Sequence, residues 1–237
     1  MGFDYTDNER ILIAFFTGIT NFSFLPVIFL MILQKRYFEV YLSIYTGITS
    51  FLYHVCEGLD YDIYMNQKKW HVCDNIGSIT AINSILVYFM RFNNYEKEVK
   101  YNLFCLFLAI TLQINEPWDL NNTILPIILY AALLGYHIYN FIDGHKVRYH
   151  PQMLKNGMIL LLFAFIGFFY GLDEHTDYLR LYHCVWHIFI GISTFYLRQA
   201  VVYDEKERLY SYGEMYKSIV TFQFNKMYIT HHDKKDK

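Results

Sequence analysis

Residues 11–33 read ILIAFFTGITNFSFLPVIFLMIL, an apolar run that contains no charged side chain. A helix needs about 20 apolar residues to cross the ~30 Å hydrocarbon core of a bilayer. This run is long enough to predict a transmembrane helix. No convincing cleavage site for a signal peptide follows it, so we expect the helix to be retained in the mature protein.

Six further apolar segments follow, separated by stretches that carry charged or turn-forming residues. They cover residues 38–57, 72–91, 99–115, 122–142, 154–171 and 179–202. Hydrophobic residues make up 54% of the chain, and aromatic residues 20%. The sequence therefore predicts an all-α membrane protein, a bundle of seven transmembrane helices.

Charge and cysteine usage argue against several classes of function. The chain has 20 Lys and Arg against 22 Asp and Glu, a net charge of −2. Because no basic field results, we predict no nucleic-acid partner. The four cysteines form no CxxC pair, so the pattern does not favour a zinc ribbon or a thioredoxin-like motif.

The distribution of Lys and Arg predicts the orientation, because positively charged loops stay on the cytosolic side of a membrane. Sixteen of the 20 lie in or beside the first, third and fifth loops and the C-terminal tail. We therefore expect residues 1–10 outside or in the lumen, the helical domain at residues 11–202, and a cytosolic polar tail at residues 203–237. A plasma or secretory-pathway membrane is the expected location.

Five side chains suited to chemistry fall near the outer ends of three predicted helices. Ser50 and His54 lie four residues apart, as do His183 and His187, so each pair projects from one face of its helix. Asp74 lies where the third helix begins. Ionisable groups in a membrane helix are costly unless they are paired, metal-bound or hydrated. We therefore expect these five residues to meet.

The three histidines predict a zinc site. Two imidazoles at positions i and i+4, with His54 from another helix, can bind one Zn²⁺ and leave a position open for water. Such an ion activates that water and polarises a carbonyl group. Asp74 would hold the water and move its proton, and Ser50 would donate a hydrogen bond to it or to the developing oxyanion.

Less specific interpretations of the same residues remain open. A histidine in a helix is often a hydrogen-bonded packing residue, Asp74 could be the N-cap of the third helix, and Ser50 could bond a backbone carbonyl. Glu57 is either a partner of the nearby histidine or an interfacial carboxylate. Cys56 and Cys73 are either a disulfide or free thiols. We place His71 and His175 in outer loops near the site.

Together these residues resemble the CREST superfamily of seven-helix membrane hydrolases, which includes alkaline ceramidases and the progestin and adiponectin receptors. The pattern consists of Ser-x₃-His in the second helix, Asp in the third and HxxxH in the last. The segments FLPVIFLMILQKRYFEVYLSIYTGITSFLYHVCEG (24–58), CDNIGS (73–78) and YHCVWH (182–187) are similar to the branch of myomaker and the post-GPI-attachment phospholipases.

The resemblance extends from about residue 24 to residue 197. It implies that His54, His183 and His187 hold zinc, with Ser50 and Asp74 beside the water. About ten residues precede the first helix, where the phospholipases carry a large extracellular domain, and in this the chain is more similar to myomaker, whose family role is cell fusion. The tail does not share myomaker's cysteine-rich end.

The sequence supports three hypotheses. The first is a zinc-dependent lipid hydrolase that cleaves an ester or amide of a membrane lipid in the outer or lumenal leaflet. The alternative is a non-catalytic fusion or receptor protein in which a structural zinc joins helices. A transporter or proton relay is the third, and it is disfavoured because few polar residues are expected below the outer third of the bundle, chiefly Asn83 and Ser84.

Overall fold

The computed structural model describes residues 4–92, 94–141, 149–173, 176–201 and 209–221. Within these ranges the regular elements are helices, with two isolated β-bridges between loop residues. The helices are α1 (Asp7–Thr20), α2 (Leu25–Leu33), α3 (Tyr37–Leu59), α4 (Gln67–Phe89), α5 (Tyr95–Asn115), α6 (Leu120–Phe141), α7 (Pro151–Gly171), α8 (Leu181–Ala200) and α9 (Tyr212–Val220). The all-α prediction is confirmed.

The first predicted crossing consists of α1 and α2, which a 3₁₀ turn at Asn21–Phe24 connects. Thr6 and Glu9 cap the start of α1 with reciprocal hydrogen bonds, which satisfy backbone N–H groups that lack helical partners. Pro26 lies in the first turn of α2, where a missing N–H costs little. The proline therefore does not interrupt the apolar segment Asp7–Leu33.

Among the residues that the structure describes, four segments are long and apolar enough to cross a membrane: Asp7–Leu33, Gln67–Phe89, Leu120–Asn140 and Pro151–Gly171. They support an integral membrane protein. The other three predicted crossings correspond to α3, α5 and α8, which have 23, 21 and 20 residues. At ~1.5 Å per residue these helices also reach ~30 Å, although they carry more polar side chains. Seven crossings, and their orientation, stay a prediction.

Glycines allow the helices to approach closely, as is common in membrane bundles. A Cβ added to Gly58 in α3 would lie 2.6 Å from the Ala14 nitrogen in α1. A Cβ on Gly167 in α7 would lie 2.8 Å from the Trp186 nitrogen in α8. Because backbone atoms meet at both positions, these contacts fix how α3 and α8 are placed.

We expect Gly58→Ala to lower the free energy of unfolding by about 1–3 kcal/mol, since α1 must shift to admit the methyl group. Gly47 provides the matched control because it lies in the same helix and a Cβ there would meet no atom within 4 Å. Gly47→Ala should leave stability unchanged or raise it by up to about 1 kcal/mol. Thermal unfolding in detergent compares the two, and equal effects would contradict this packing.

Part of the predicted tail packs against the bundle. Ser211 and Glu214 form a capping box at the start of α9. Tyr210 and Met215 are buried against residues of α2, α3 and α8. Because the tail is polar, its hydropathy did not predict this short amphipathic helix. The boundary of the tail stays a prediction.

Candidate metal centre

Three histidine side chains form a cluster at one end of the bundle. His54 comes from α3, whereas His183 and His187 lie one turn apart on α8. One nitrogen from each lies within 4.8 Å of the other two, and the Nε2 atoms of His54 and His183 are 3.0 Å apart. The structure thus brings together the three predicted zinc ligands, two of which are buried and one partly buried.

Hydrogen bonds determine which nitrogen each of two rings presents to this cluster. His54 Nδ1 lies 3.0 Å from Glu57 Oε2, an acceptor, so Nδ1 carries the proton and Nε2 keeps its lone pair. The Thr20 hydroxyl donates to Thr17 O (3.0 Å) and lies 3.2 Å from His187 Nδ1. It therefore accepts from Nδ1–H, which leaves a lone pair on His187 Nε2.

This donor set fits zinc. Zinc takes neutral imidazole nitrogens at about 2.0–2.1 Å, so two ligand nitrogens of one ion lie no more than about 4 Å apart. The His54–His183 pair already meets this limit, and the widest separation in the cluster needs a shift of less than about 1 Å. The lone pairs on His54 Nε2 and His187 Nε2 face the same cluster, and they repel each other unless a proton or a cation lies between them.

Glu57 connects His54 to the loop before α8. Its carboxylate accepts hydrogen bonds from the Tyr53 hydroxyl (3.1 Å) and from Arg180 Nη2 (3.1 Å), besides His54 Nδ1. Arg180 also donates to Gly171 O (3.1 Å). Glu57 is therefore a partner of His54 rather than a solvated interfacial carboxylate. Arg180 was not predicted as a site residue, because in the sequence it is only a charge at the loop before the last helix.

Replacing Glu57 with glutamine should weaken zinc binding about 10- to 100-fold, the usual effect of changing the hydrogen-bond partner of a metal-binding histidine. The amide presents a donor as well as an acceptor, so it no longer enforces the proton on His54 Nδ1. Competition with a chelator measures the affinity. Glu96→Gln is the control, because Glu96 is an exposed partner of Lys100, and an equal affinity in both variants would overturn this role.

The start of α8 has an unusual backbone. Leu179 and Arg180 have φ values of 54° and 56°, in the left-handed region that costs non-glycine residues about 1–3 kcal/mol each. Asp177 compensates by accepting hydrogen bonds from the backbone nitrogens of Tyr182 (2.8 Å) and His183 (3.1 Å). Burial raises the pKa of the Asp177 carboxyl, and these two hydrogen bonds oppose the rise. Asp177, which precedes α8, therefore stabilises the first turn of the helix that carries His183.

Asp74 and Ser50 form a second group beside the histidines. Asn66 caps α4 by accepting from Lys69 N (3.0 Å), so Asp74 lies two turns inside the helix and is not its N-cap. The Asp74 carboxylate interacts with the hydroxyls of Ser50 and Ser78, the latter at 3.4 Å. The side chains of Ser50 and Asp74 are buried. The partner of Ser50 is therefore this carboxylate.

A cavity of ≈ 260 Å³ joins these groups to the other end of the bundle. Ser50, Asp74, His183 and His187 contribute to its wall at one end. One face of α8 continues the wall through Trp186, His187, Ile190 and Thr194 to Arg198. From His183 to Arg198 this face spans about 22 Å at 1.5 Å per residue. Most of the wall between the ends is apolar, which does not favour a proton relay.

Buried charged residues lie at the far end of the cavity. They are Arg36, Glu39, Glu98 and Arg198. Arg36 donates to Glu39 Oε1 from Nη2 (2.7 Å) and also bonds Glu98. Few polar residues were expected here, and the group was not predicted because its members come from three separate segments: the start of α3, the first turn of α5 and the last turn of α8. Glu39 and Arg198 lie within predicted crossings. A charged residue inside a transmembrane segment needs a partner, so these two positions could have indicated the group.

The remaining predictions concern residues near the site. Of the two alternatives for Cys56 and Cys73, the structure has free thiols rather than a disulfide. His71 lies in the first turn and a half of α4, stacked on Trp118 with ring centroids 3.7 Å apart, rather than in a loop. His175 lies outside the described residues.

The fold and this cluster define an all-helical membrane protein with three histidines at one end of a largely apolar cavity. The chain belongs to the family described as Protein of unknown function (DUF3522), whose model matches residues 9–188. All five predicted site residues fall within that match.

Curated relatives agree with a membrane protein. The chain is 25% identical over 192 residues to Transmembrane protein 8B of Homo sapiens, and 25% identical over 192 residues to its Mus musculus counterpart. Each alignment covers 76% of this chain and 39% of the relative, so the chain spans about two fifths of the length of these relatives. Their name supports integral membrane location.

Proposed function

We propose that this protein is a zinc-dependent integral-membrane lipid hydrolase that cleaves an ester or amide bond of a membrane lipid in the outer or lumenal leaflet. The main support for the proposal is that three histidine nitrogens and a buried carboxylate lie together at one end of an apolar cavity. The resemblance to the CREST superfamily agrees with it. Seven crossings with a cytosolic C-terminus are part of the same proposal.

His54, His183 and His187 would hold the zinc, which when bound supplies a Lewis acid that activates water and polarises a carbonyl. Glu57 and Thr20 orient two of the rings, so little reorganisation is needed to present their Nε2 atoms. The chain therefore provides the ligand geometry through hydrogen bonds that do not depend on the substrate.

Asp74 is the proposed general base. Its carboxylate would accept a proton from the attacking water and return it to the leaving oxygen or nitrogen. The Ser78 hydroxyl holds the carboxylate in place, and Ser50, on the same cavity wall, can turn its hydroxyl from Asp74 to the developing oxyanion. The apolar part of the cavity would receive an acyl chain and exclude water.

The alternative function is a non-catalytic one, in which zinc only joins helices. One observation favours it: the histidines come from α3 and α8, and the Glu57–Arg180 ion pair (3.1 Å) links α3 to the start of α8. A metal at this position would strengthen an existing connection. The two functions differ in their dependence on Asp74, which a structural ion does not require.

Zinc content and lipid hydrolysis of the purified full chain test the proposal together. We expect about one zinc per chain, release of fatty acid from at least one member of a panel of ceramides, phospholipids and lysophospholipids, loss of release after chelation, and recovery with added zinc. Zinc without hydrolysis of any of these lipids would favour the structural alternative. A chain that binds no zinc under metal-replete conditions would contradict both.

A further inference from the structure

Asn75 follows Asp74 on α4 and, like Asp74, contributes to the wall of the cavity. At helical spacing, Asn75 shares one face of α4 with Ser78, Ile79 and Ile82, which also line the cavity. The proposed mechanism uses Asp74 and Ser78 but gives Asn75 no part. A lipid whose scissile carbonyl lies at Asp74 would nevertheless be within reach of the Asn75 amide group.

Two hydrogen bonds fix the direction of that amide group. Nδ2 donates to Gln113 Oε1 on α5 (2.8 Å) and to Pro117 O in the loop between α5 and α6 (2.8 Å). A backbone carbonyl only accepts, so the nitrogen of Asn75 and not its oxygen must face Pro117. Gln113 is fully buried, and its Nε2 donates to the Thr123 hydroxyl (3.3 Å). The protein therefore uses both N–H groups of Asn75.

The oxygen of the same amide group remains open. No group among the described residues donates to Asn75 Oδ1. This oxygen is also not among the unpartnered polar atoms that are buried, so it is accessible. Because both N–H groups are engaged, the open edge of Asn75 is an acceptor only. It selects for a hydrogen-bond donor.

The surroundings of this acceptor suit a lipid. The cavity reaches the side of the bundle, because Phe165 and Phe169 of α7 contribute to its wall and are 37% and 58% exposed. An acyl chain in the apolar part of the cavity, with its carbonyl at Asp74, would leave the group attached to that carbonyl near Asn75. In many lipids this group carries a free hydroxyl or an amide N–H. A site that bonds such a donor discriminates against an analogue that lacks it.

We propose that Asn75 is a specificity-determining residue, whose Oδ1 accepts a hydrogen bond from a hydroxyl or amide N–H beside the scissile carbonyl of the lipid. Lipids that carry this donor would be preferred over matched lipids in which it is methylated. The inference rests on the proposed function and narrows its substrate class. Gln113 and Pro117 are positioning groups, since they hold the amide in the direction that leaves Oδ1 open.

Competition binding to the full-length protein in nanodiscs tests the preference. The probe is a diazirine analogue of 1-oleoyl-lysophosphatidylcholine. One pair of competitors is 1-oleoyl-lysophosphatidylcholine and its 2-O-methyl ether, and the other is N-oleoylethanolamine and its N-methyl analogue. We expect the donor-bearing member of at least one pair to displace the probe about fivefold better, and the responding pair distinguishes a hydroxyl from an amide donor. Equal displacement within both pairs, or labelling that no lipid displaces, would overturn the proposal.

Asn75→Leu tests whether Asn75 causes the preference. It should weaken displacement by the donor-bearing lipid about fivefold and leave displacement by the methylated lipid unchanged, whereas a merely structural role would weaken both equally. Asn122→Leu is the matched control, because Asn122 Nδ2 also donates to a carbonyl of the α5–α6 loop, Glu116 O (3.0 Å), but Asn122 is not part of the cavity wall. If Asn75→Leu does not unfold cooperatively, Asn75→Ala replaces it. A preference that persists without Asn75 would contradict its role.

Hydrolysis of the same four lipids separates this inference from the proposed function. If binding discriminates within a pair but no lipid releases oleate, the hydrolase proposal fails and Asn75 remains a lipid-binding residue. If the members of each pair are bound and hydrolysed equally, the hydrolase proposal stands and the role of Asn75 is wrong.

Discussion

Replacing His183 and His187 together with alanine is expected to lower the zinc content from about one ion per chain to background. The change removes two of the three nitrogens that lie within 4.8 Å of one another, and His54 alone cannot hold the ion. Elemental mass spectrometry of the detergent-purified protein measures the effect. Because bound metal stabilises the folded state, thermal unfolding should also shift to lower temperature.

His137→Ala is the matched control for this experiment. His137 lies on α6, contacts Phe92 with ring centroids 5.0 Å apart, and is not one of the three histidines of the cluster. Its zinc content should equal that of the wild type. If the double variant retains a full equivalent of zinc, the ion lies elsewhere, and the histidines are packing residues joined by their own hydrogen bonds.

Replacing Asp74 with asparagine is expected to reduce lipid hydrolysis about 10²- to 10⁴-fold, the usual contribution of a general acid–base residue. The amide has nearly the same shape as the carboxylate and can still bond the hydroxyls of Ser50 and Ser78, but it cannot accept the proton of water. Zinc content should remain at the wild-type level. The rate of fatty acid release, measured beside the zinc content, separates the two effects.

Asp119→Asn controls for the loss of a negative charge, since Asp119 is an exposed residue that bonds Asn121. This variant should hydrolyse lipid at the wild-type rate. Full activity of Asp74→Asn would remove Asp74 from the mechanism. Loss of zinc in Asp74→Asn would instead assign the carboxylate to the support of the metal centre.

Local patterns predicted the helices and the pairs of residues within them. Apolar runs of about 20 residues located every long helix to within a few residues at most ends, because burial in a bilayer requires an apolar surface along the whole element. The largest difference is the start of α4, which lies at Gln67 rather than residue 72. The first turns of α4 are polar, and Asn66 starts the helix by capping rather than by hydrophobicity.

The sequence by itself determined that the chain is helical, that it belongs in a membrane, and that Ser50 with His54 and His183 with His187 share helical faces. These are consequences of hydropathy and of the 3.6-residue period. Only the tertiary structure decided that Glu57 bonds both His54 and Arg180, and that Arg36, Glu39, Glu98 and Arg198 meet. Contacts between distant segments depend on how the helices pack, and glycines such as Gly58 and Gly167 set that packing by letting backbones approach.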